Sequence, residues 1–388
     1  MIWIRQTLAV TWQSLINLPQ RTASSLVAVT GVAGVVLVFV AVLSMAYGFQ
    51  KTLAGGGSDS NMIVLRSGAS SEMDSGLSGD QTRIIKDVPS VEFAAGELFV
   101  LATLPRRSNG SDSNVPVRGV EPASRDIRGT IELVEGRWFE EGKQELVVGV
   151  GAHSQFDVDV GSSIRLGQQD WAVTGRFSAD GGLAESELWA DARVLQGAYR
   201  RGNNFSVVQV RLDDPASAQS FKDQLTEDPR LSLKIASERE FYSEQSQILS
   251  TLIRVVGYGV AILMALGAVF GALNTMYTAV SDRAREIGTL RALGFSSSSI
   301  VVSVMVEALI LALAGGLIGG AAAYLVFNGF TVSTLNYASF SQVVFGFAVT
   351  PQLLTQGIVM ALVIGFIGGL MPALRAARMP VSMALRQG

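Results

Sequence analysis

Four long apolar segments interrupt the polar regions of this sequence, at residues 26–47, 252–280, 300–327 and 353–374. Each reaches about 20 residues, the length at which a helix crosses a hydrocarbon core of about 30 Å. Between the first two lies a polar stretch of about 200 residues, long enough for one or two folded subdomains. The pattern predicts an integral membrane bundle of four transmembrane helices with a large domain outside the bilayer.

Composition supports a membrane protein and excludes some functions. The 388 residues are 48% hydrophobic and only 16% charged, which is too apolar for an ordinary soluble protein of this size. A net charge of −3 argues against nucleic acid as a partner. There is no cysteine and only one histidine, His153, so a His/Cys metal cluster is excluded and we expect no metal site.

Arginines in the short connections predict the orientation. They precede the first apolar segment (Arg5, Arg21), lie between the second and third (Arg283, Arg285, Arg291) and follow the fourth (Arg375, Arg378, Arg386). The connection 328–351 has no lysine or arginine. Because positive charge favours the cytosolic side, both termini and the second-to-third connection should be cytosolic. The large domain should then lie outside the cytosol.

Residues 1–20 have the pattern of an amphipathic helix that precedes the first transmembrane helix, residues 21–50. Apolar side chains share one helical face (Met1, Ile4, Leu8, Trp12, Leu15, Ile16), and Pro19 breaks the pattern. Two interpretations stay open. The helix lies in the membrane interface, or it docks against the bundle.

The extracytoplasmic domain, residues 51–245, shows two patterns. A strand–helix–strand order near its start (61–65, 77–87, 91–104) recurs near its end (206–212, 216–225, 231–236). These two βαβ-like pieces predict one α+β lobe built from both ends of the domain. The middle, about residues 129–199, favours an inserted β-rich lobe. Residues 67–75 and 106–114 are rich in Ser, Gly and Asn, which predicts mobile loops.

No sequence motif indicates that this chain is an enzyme. The phosphate-binding pattern G-x-x-x-x-G-K-[S/T] is absent from the 388 residues, and so is the nucleophile pattern G-x-S-x-G. We therefore expect no catalytic residue and no cofactor bound by this chain.

Residues 246–388 contain the last three predicted transmembrane helices, joined by a charged helix over about 281–295 and ending in a cytosolic tail. Glu307 lies about seven residues into the third segment and Asn274 lies in the second; such intramembrane polar residues are rare. Glu307 is either a partner for the connecting arginines or a carboxylate solvated at the interface. Glycine pairs at 315–316, 319–320 and 368–369 favour close helix packing.

Residues 274–294, N-T-M-Y-T-A-V-S-D-R-A-R-E-I-G-T-L-R-A-L-G, resemble the signature of FtsX-like/MacB-like ABC transporter permeases. The continuation 300–320, the ending 372–386 and the first apolar segment are also similar to that family. The middle resembles the MacB-type periplasmic core. MacB itself carries its ATPase on the same chain, whereas this sequence looks like a stand-alone permease.

The resemblance implies a bacterial inner-membrane subunit and several partners. These are a separate ATP-binding subunit in two copies that holds ATP and Mg, a second permease chain of the same or another kind, membrane lipid and a periplasmic adaptor. The charged helix would dock the ATPase. Its apolar side chains would fill a groove (Ile287, Leu290, Leu293), its charges would set orientation (Arg283, Arg285, Glu286, Arg291), and Gly294 would end it.

Three functions remain open within the resemblance. Export or efflux through an adaptor is preferred. The large two-lobed domain favours both this function and the second over the third, since hydrolase-activating members resemble a smaller extracytoplasmic domain. Extraction of lipid or lipoprotein from the membrane is the second. Activation of a cell-wall hydrolase without transport is the third.

Overall fold

The computed structural model describes residues 2–16, 22–54, 57–58, 60–129, 131–336 and 341–379. Met1, Pro19, Arg21 and Arg386, used in the predictions above, lie outside these ranges. The chain divides into two compact units. The helical unit contains Met1–Ala46, Leu252–Phe330 and Phe347–Gly388, and the sheet unit contains Tyr47–Thr251 and Thr331–Gly346.

The described helices and strands follow in chain order. The helices are α1 (Ile2–Ile16), α2 (Thr22–Ala54), α3 (Gly79–Lys86), α4 (Ala123–Arg128), α5 (Val150–Gln155), α6 (Ala192–Ala198), α7 (Ala218–Glu227), α8 (Glu238–Asp282), α9 (Ala284–Ala292), α10 (Ser297–Phe327) and α11 (Pro351–Arg378). The strands are β1 (Asn61–Arg66), β2 (Leu77–Ser78), β3 (Val91–Pro105), β4 (Asp112–Val120), β5 (Glu132–Gly136), β6 (Glu145–Gly149), β7 (Ser163–Leu166), β8 (Gln169–Ser178), β9 (Leu188–Asp191), β10 (Asn204–Phe205), β11 (Val207–Leu212), β12 (Leu233–Ser237), β13 (Thr331–Asn336) and β14 (Ser341–Gly346).

Four helices are long and apolar enough to cross a membrane, namely α2, α8, α10 and α11. They coincide with the four predicted segments, so that prediction is confirmed. Polar side chains cap the N-termini of two of these helices. Ser296 Oγ accepts from the Ser299 amide before α10, and Thr350 caps α11, whose first residue is Pro351.

Glycines bring the helices of the helical unit close together. A Cβ on Gly319 would lie 2.4 Å from the Ala33 carbonyl oxygen of α2, and one on Gly315 2.8 Å from the Val29 oxygen. A Cβ on Gly369 of α11 would lie 2.6 Å from the Ala308 Cβ. Real side chains do not approach so closely, so these positions require glycine for the observed packing.

The sheet unit contains one ten-stranded sheet, in the order β12-β1-β11-β3-β4-β9-β6-β8-β5, with β7 also paired to β8. Strands β12, β1, β11 and β3 are paired antiparallel, whereas the β4–β9 and β6–β8 pairs are parallel. Helices α3 and α7 cross between β1 and β3 and between β11 and β12. These crossovers form a split β-α-β arrangement.

Two apolar cores lie along this sheet. One is formed by β1, β11 and the helices α3 and α7, with Met62, Phe221 and Leu225 buried. The other lies around Trp171 and Phe156 and includes the second half of β3. The predicted insert 129–199 therefore does not form a sheet of its own. Strand β3 has 15 residues, enough to run through both cores, and this joins them.

Three segments differ in the structure from their predicted extent or character. Residues 112–114 belong to strand β4, so the predicted loop 106–114 is shorter. The predicted domain limit at residue 245 falls inside α8, because one helix supplies residues to both units. The predicted short connection between the last two spans contains the hairpin β13–β14, which belongs to the sheet unit, and the Val344 amide donates to Ser186 Oγ at 2.9 Å.

A buried ionic cluster joins four segments of the sheet unit. Arg118 of β4 is 1% exposed and donates to Glu72, Glu97 and Glu187 at 2.7–3.1 Å. Arg128 also donates to Glu97. Glu72 belongs to the predicted mobile loop 67–75. In the structure Asp74 holds that loop by accepting four hydrogen bonds from two serines, Ser70 and Ser71.

The carboxyls of this cluster respond differently to their surroundings. Burial would raise the pKa of Glu97, but the Arg128 and Arg118 guanidiniums outweigh burial and hold that pKa at about 2. For Glu72 burial exceeds the attraction of Arg118, and its pKa is raised above its ordinary value. The fold therefore favours the charged form of Glu97 and disfavours the charged form of Glu72.

Candidate functional site

The helical unit contains a buried ion pair where α8 meets α9. Arg283 lies between the two helices, and its Nη1 donates to Glu307 Oε2 of α10 at 3.0 Å. The Arg283 side chain is 11% exposed and that of Glu307 is 7% exposed. Of the two interpretations of Glu307, the geometry matches the one in which it pairs with a connecting arginine.

Arg283 has further partners on both sides of this pair. Its Nε donates to Glu286 Oε2 at 3.3 Å, and its Nη2 donates to Ser14 Oγ of α1 at 3.0 Å. The guanidinium thus contacts α9, α10 and α1 together. Because Arg carries its donors in a rigid planar fork, three fixed acceptors also fix where α9 begins.

Helix α9 is anchored on one face by apolar side chains. Ala284 and Ile287 are buried, and Ile287 packs in a cluster with Val280, Ile300 and Val304. This corrects one expectation. Ile287 is not available to fill a groove on another protein, because it fills one in its own chain. The family resemblance had implied an external role for Ile287, but a short helix packed against a bundle also needs an apolar inner face.

The opposite face of α9 is open. Arg285, Glu286 and Thr289 are exposed, and Leu293 just after the helix is 72% exposed. Leu290 lies between the two faces and is half-buried. We call Arg285, Thr289 and Leu293 the outer face of α9. They recur at every fourth residue, so they form one stripe.

A glycine ends α9 in the way the sequence predicted. Gly294 has φ of +94°, a conformation that disfavours other residues. The Gly294 amide donates to the Arg291 carbonyl, and the Phe295 amide donates to the Leu290 carbonyl, which is a Schellman motif. Arg291 itself turns inward, and its guanidinium donates to the carbonyl of Met379 after α11.

Asn274 is not part of this cluster. It is exposed on α8, and its carbonyl accepts from the Thr278 hydroxyl within the same helix. The sequence placed Asn274 and Glu307 in one class of intramembrane polar residues, but the structure brings only Glu307 to Arg283.

The N-terminal helix α1 contacts α10 through its small residues. Val10 and Ser14 are buried, Ser14 Oγ lies 2.8 Å from Ser303 Oγ, and Thr7 donates to Ser299 Oγ at 3.0 Å. Leu8, Trp12 and Ile16, from the predicted apolar face, are exposed on the other side of the helix. The helix therefore docks against the bundle and still presents an apolar stripe outward.

Two family models cover most of the chain. Residues 25–228 match the MacB-like periplasmic core domain, and residues 258–381 match the FtsX-like permease C-terminal region. The chain belongs to the MacB-like, FtsX-like family of ABC transporter permeases. Membership of such a family implies a membrane protein with an ATPase partner.

Relatives with similar sequences carry permease names. The ABC transporter permease MJ1507 of Methanocaldococcus jannaschii is 24% identical, over 78% of this chain and 79% of its own length. YknZ of Bacillus subtilis is 21% identical, over 92% of both chains. The macrolide export ATP-binding/permease protein MacB of Nitrobacter winogradskyi is 27% identical over the whole of this chain. The match spans only 61% of that MacB protein.

Solved extracellular regions of the same family are similar to part of this chain. The extracellular domain of YknZ covers 46% of it at 16% identity with a TM-score of 0.36. The periplasmic region of MacB from Actinobacillus actinomycetemcomitans covers 47% at 13% identity with a TM-score of 0.39.

Two residues of the site in this FtsX-like permease were missed from the sequence. Ser14 and Ser303 lie 289 positions apart and meet beside Arg283. The available signal was one serine on the polar face of the amphipathic segment and one inside the third apolar segment. Serine is common at helix–helix contacts, so its presence alone did not indicate this cluster.

Proposed function

We propose that this chain is the permease subunit of an ABC transporter that passes ATP-driven motion to its extracytoplasmic unit. A separate ATPase docks on the outer face of α9, and two such subunits serve a dimer of permease chains. Both termini and α9 lie in the cytosol, and the sheet unit lies outside the inner membrane. This orientation rests on the arginine bias of the short connections.

Helix α9 has two different faces, and this division is the main support for the proposal. Its inner face is fixed to α10 by the Arg283–Glu307 pair and by Ile287, while its outer face leaves Leu293 uncovered. A helix held this firmly transmits a push to α10 instead of absorbing it. An exposed leucine beside Arg285 also suits an interface, where an apolar anchor is surrounded by charge.

Export or efflux is the function favoured for the whole complex. Several relatives are named macrolide export proteins, and the extracytoplasmic unit contains a large continuous sheet. We propose that this unit works with a periplasmic adaptor protein, and that the ATPase is a different chain. The latter is supported by the permease relatives whose own lengths this chain nearly covers.

The test is co-purification of the complex from native membranes with Leu293→Asp in place of the wild type. A carboxylate buried against the ATPase would lack a partner, and such a defect costs about 2–5 kcal/mol at an interface. We expect normal membrane levels of the permease and loss of the ATP-binding subunit. The control Glu140→Lys, on an exposed turn of the sheet unit, should retain it.

The same preparation separates the candidate functions. Recovery of an adaptor protein supports export, whereas recovery of a lipoprotein chaperone or a cell-wall hydrolase replaces export with one of the other two functions. If the ATP-binding subunit still co-purifies stoichiometrically with the Leu293→Asp permease and transport is unchanged, α9 is not the docking element.

A further inference from the structure

We propose that Ser14 of α1 is a positioning residue for the movement of α9, so that the N-terminal helix controls coupling. This inference rests on the proposed function, since it concerns the site where the ATPase would dock. It assigns a role to a helix that none of the matched family segments includes, because they begin at residue 25.

The contact is a continuous chain of polar groups. Arg283 Nη2 donates to Ser14 Oγ at 3.0 Å, and Ser14 Oγ lies 2.8 Å from Ser303 Oγ. Since Ser14 accepts from a guanidinium, its own hydroxyl proton is free to be donated to Ser303. Ser14 is 4% exposed and Ser303 is 2% exposed, so water competes little with these hydrogen bonds.

The second contact of α1 fixes its register along α10. Thr7 donates to Ser299 Oγ at 3.0 Å, and Ser299 lies about one helical turn before Ser303 on α10. Val10 is buried between these two contacts. Helix α1 is therefore held at two heights on α10.

The arrangement gives Arg283 two anchors of different kinds. Glu307 supplies charge compensation, whereas Ser14 supplies direction for one of the two terminal nitrogens. Loss of Glu307 removes the buried counter-charge, whereas loss of the Ser14 hydroxyl keeps the contacts with Glu307 and Glu286 and leaves Nη2 without its acceptor on α1. Ser14 is thus expected to affect how motion is transmitted, and not whether the ATPase binds.

The test uses the full complex in lipid nanodiscs with MgATP as the only added ligand. For Ser14→Ala we expect kcat for ATP hydrolysis to fall about tenfold while KM stays unchanged, the loss of one hydrogen bond to a charged group. The matched control is Thr11→Ala in the same helix, a half-buried residue one turn away. In the full-length permease without its ATPase, a nitroxide at exposed Thr289 should become more mobile with Ser14→Ala and not with Thr11→Ala.

A mutant cycle separates positioning from simple packing. When Arg283 and Glu307 are replaced together by Met and Leu, Ser14→Ala should have no further effect on kcat, because the guanidinium that Ser14 positions is gone. The same fall in both backgrounds would overturn the proposal, and so would unchanged kcat and label mobility in Ser14→Ala. If Leu293→Asp keeps the ATPase bound, the proposed docking has failed, and that result is distinct from either outcome for Ser14.

Discussion

Arg283 Nη1 lies 3.0 Å from Glu307 Oε2, and this pair ties the start of α9 to a helix long enough to span the membrane. The two residues are 24 positions apart, and each is largely removed from solvent. A buried pair of this kind contributes little net stability compared with apolar packing. Removing one of its two partners, however, strongly destabilises the fold. Its value lies in fixing one geometry.

The first prediction follows from that asymmetry. Glu307→Gln should lower the stability of the chain by about 3 kcal/mol, because it removes the buried counter-charge of Arg283 and leaves beside it, among the described residues, only the exposed Glu286 carboxylate. The joint replacement Arg283→Met with Glu307→Leu should recover most of the loss. Thermal unfolding of the full chain in detergent measures both. Equal destabilisation by the single and joint replacements would show that the pair is not the cause.

The second prediction concerns the carboxyls around Arg118. The pKa of Glu97 is held at about 2, below the ordinary value of about 4.3, so its stabilising effect is complete above that value and is lost as the pH falls towards 2. The pKa of Glu72 is raised, so its effect is complete at low pH and is lost as the pH rises.

At pH 7, Glu97→Gln should therefore destabilise the full chain by about 3 kcal/mol, and Glu72→Gln by clearly less. The difference between the two variants should shrink at pH 3. Tryptophan fluorescence during denaturant unfolding measures the free energy of unfolding of each variant. Trp189 is a suitable reporter because it donates to Glu187 in the same cluster. Identical losses for both variants at pH 7 would contradict the assignment.

The third prediction is the orientation. A Thr289→Cys variant should resist an impermeant thiol reagent in intact cells, and a Ser108→Cys variant should react. The chain has no cysteine of its own, so background labelling is absent. Ser108 is preferred to the neighbouring Gly110, whose φ of +67° disfavours a side chain. Labelling of Thr289→Cys from outside would reverse the assigned sides.

Much of the fold could be predicted from local pattern. Length and apolarity located α2, α8, α10 and α11, and Gly294 located the end of α9, because both signals depend on neighbouring residues alone. The two strand–helix–strand orders correspond to β1, α3 and β3 and to β11, α7 and β12.

What the sequence left unpredicted depends on contacts between distant residues. The meeting of Ser14, Ser303 and Arg283 depends on how three helices pack, and no periodicity encodes it. The same holds for Arg118 with its three carboxyls, and for the hairpin β13–β14, whose strands looked like an ordinary short connection. Ile287 was assigned to the wrong face because an inner and an outer apolar residue look alike in sequence.

In the proposed mechanism, ATP turnover moves the sheet unit through α9. The most direct measurement is the distance between spin labels at Ser108 in the sheet unit and Gln352 at the exposed start of α11, in the full complex in nanodiscs. We predict that the distance distribution shifts when MgATP is trapped with vanadate, and that Leu293→Asp abolishes the shift. If the wild-type complex gives the same distance distribution with and without trapped nucleotide, ATP turnover does not move the sheet unit and the proposed mechanism is wrong.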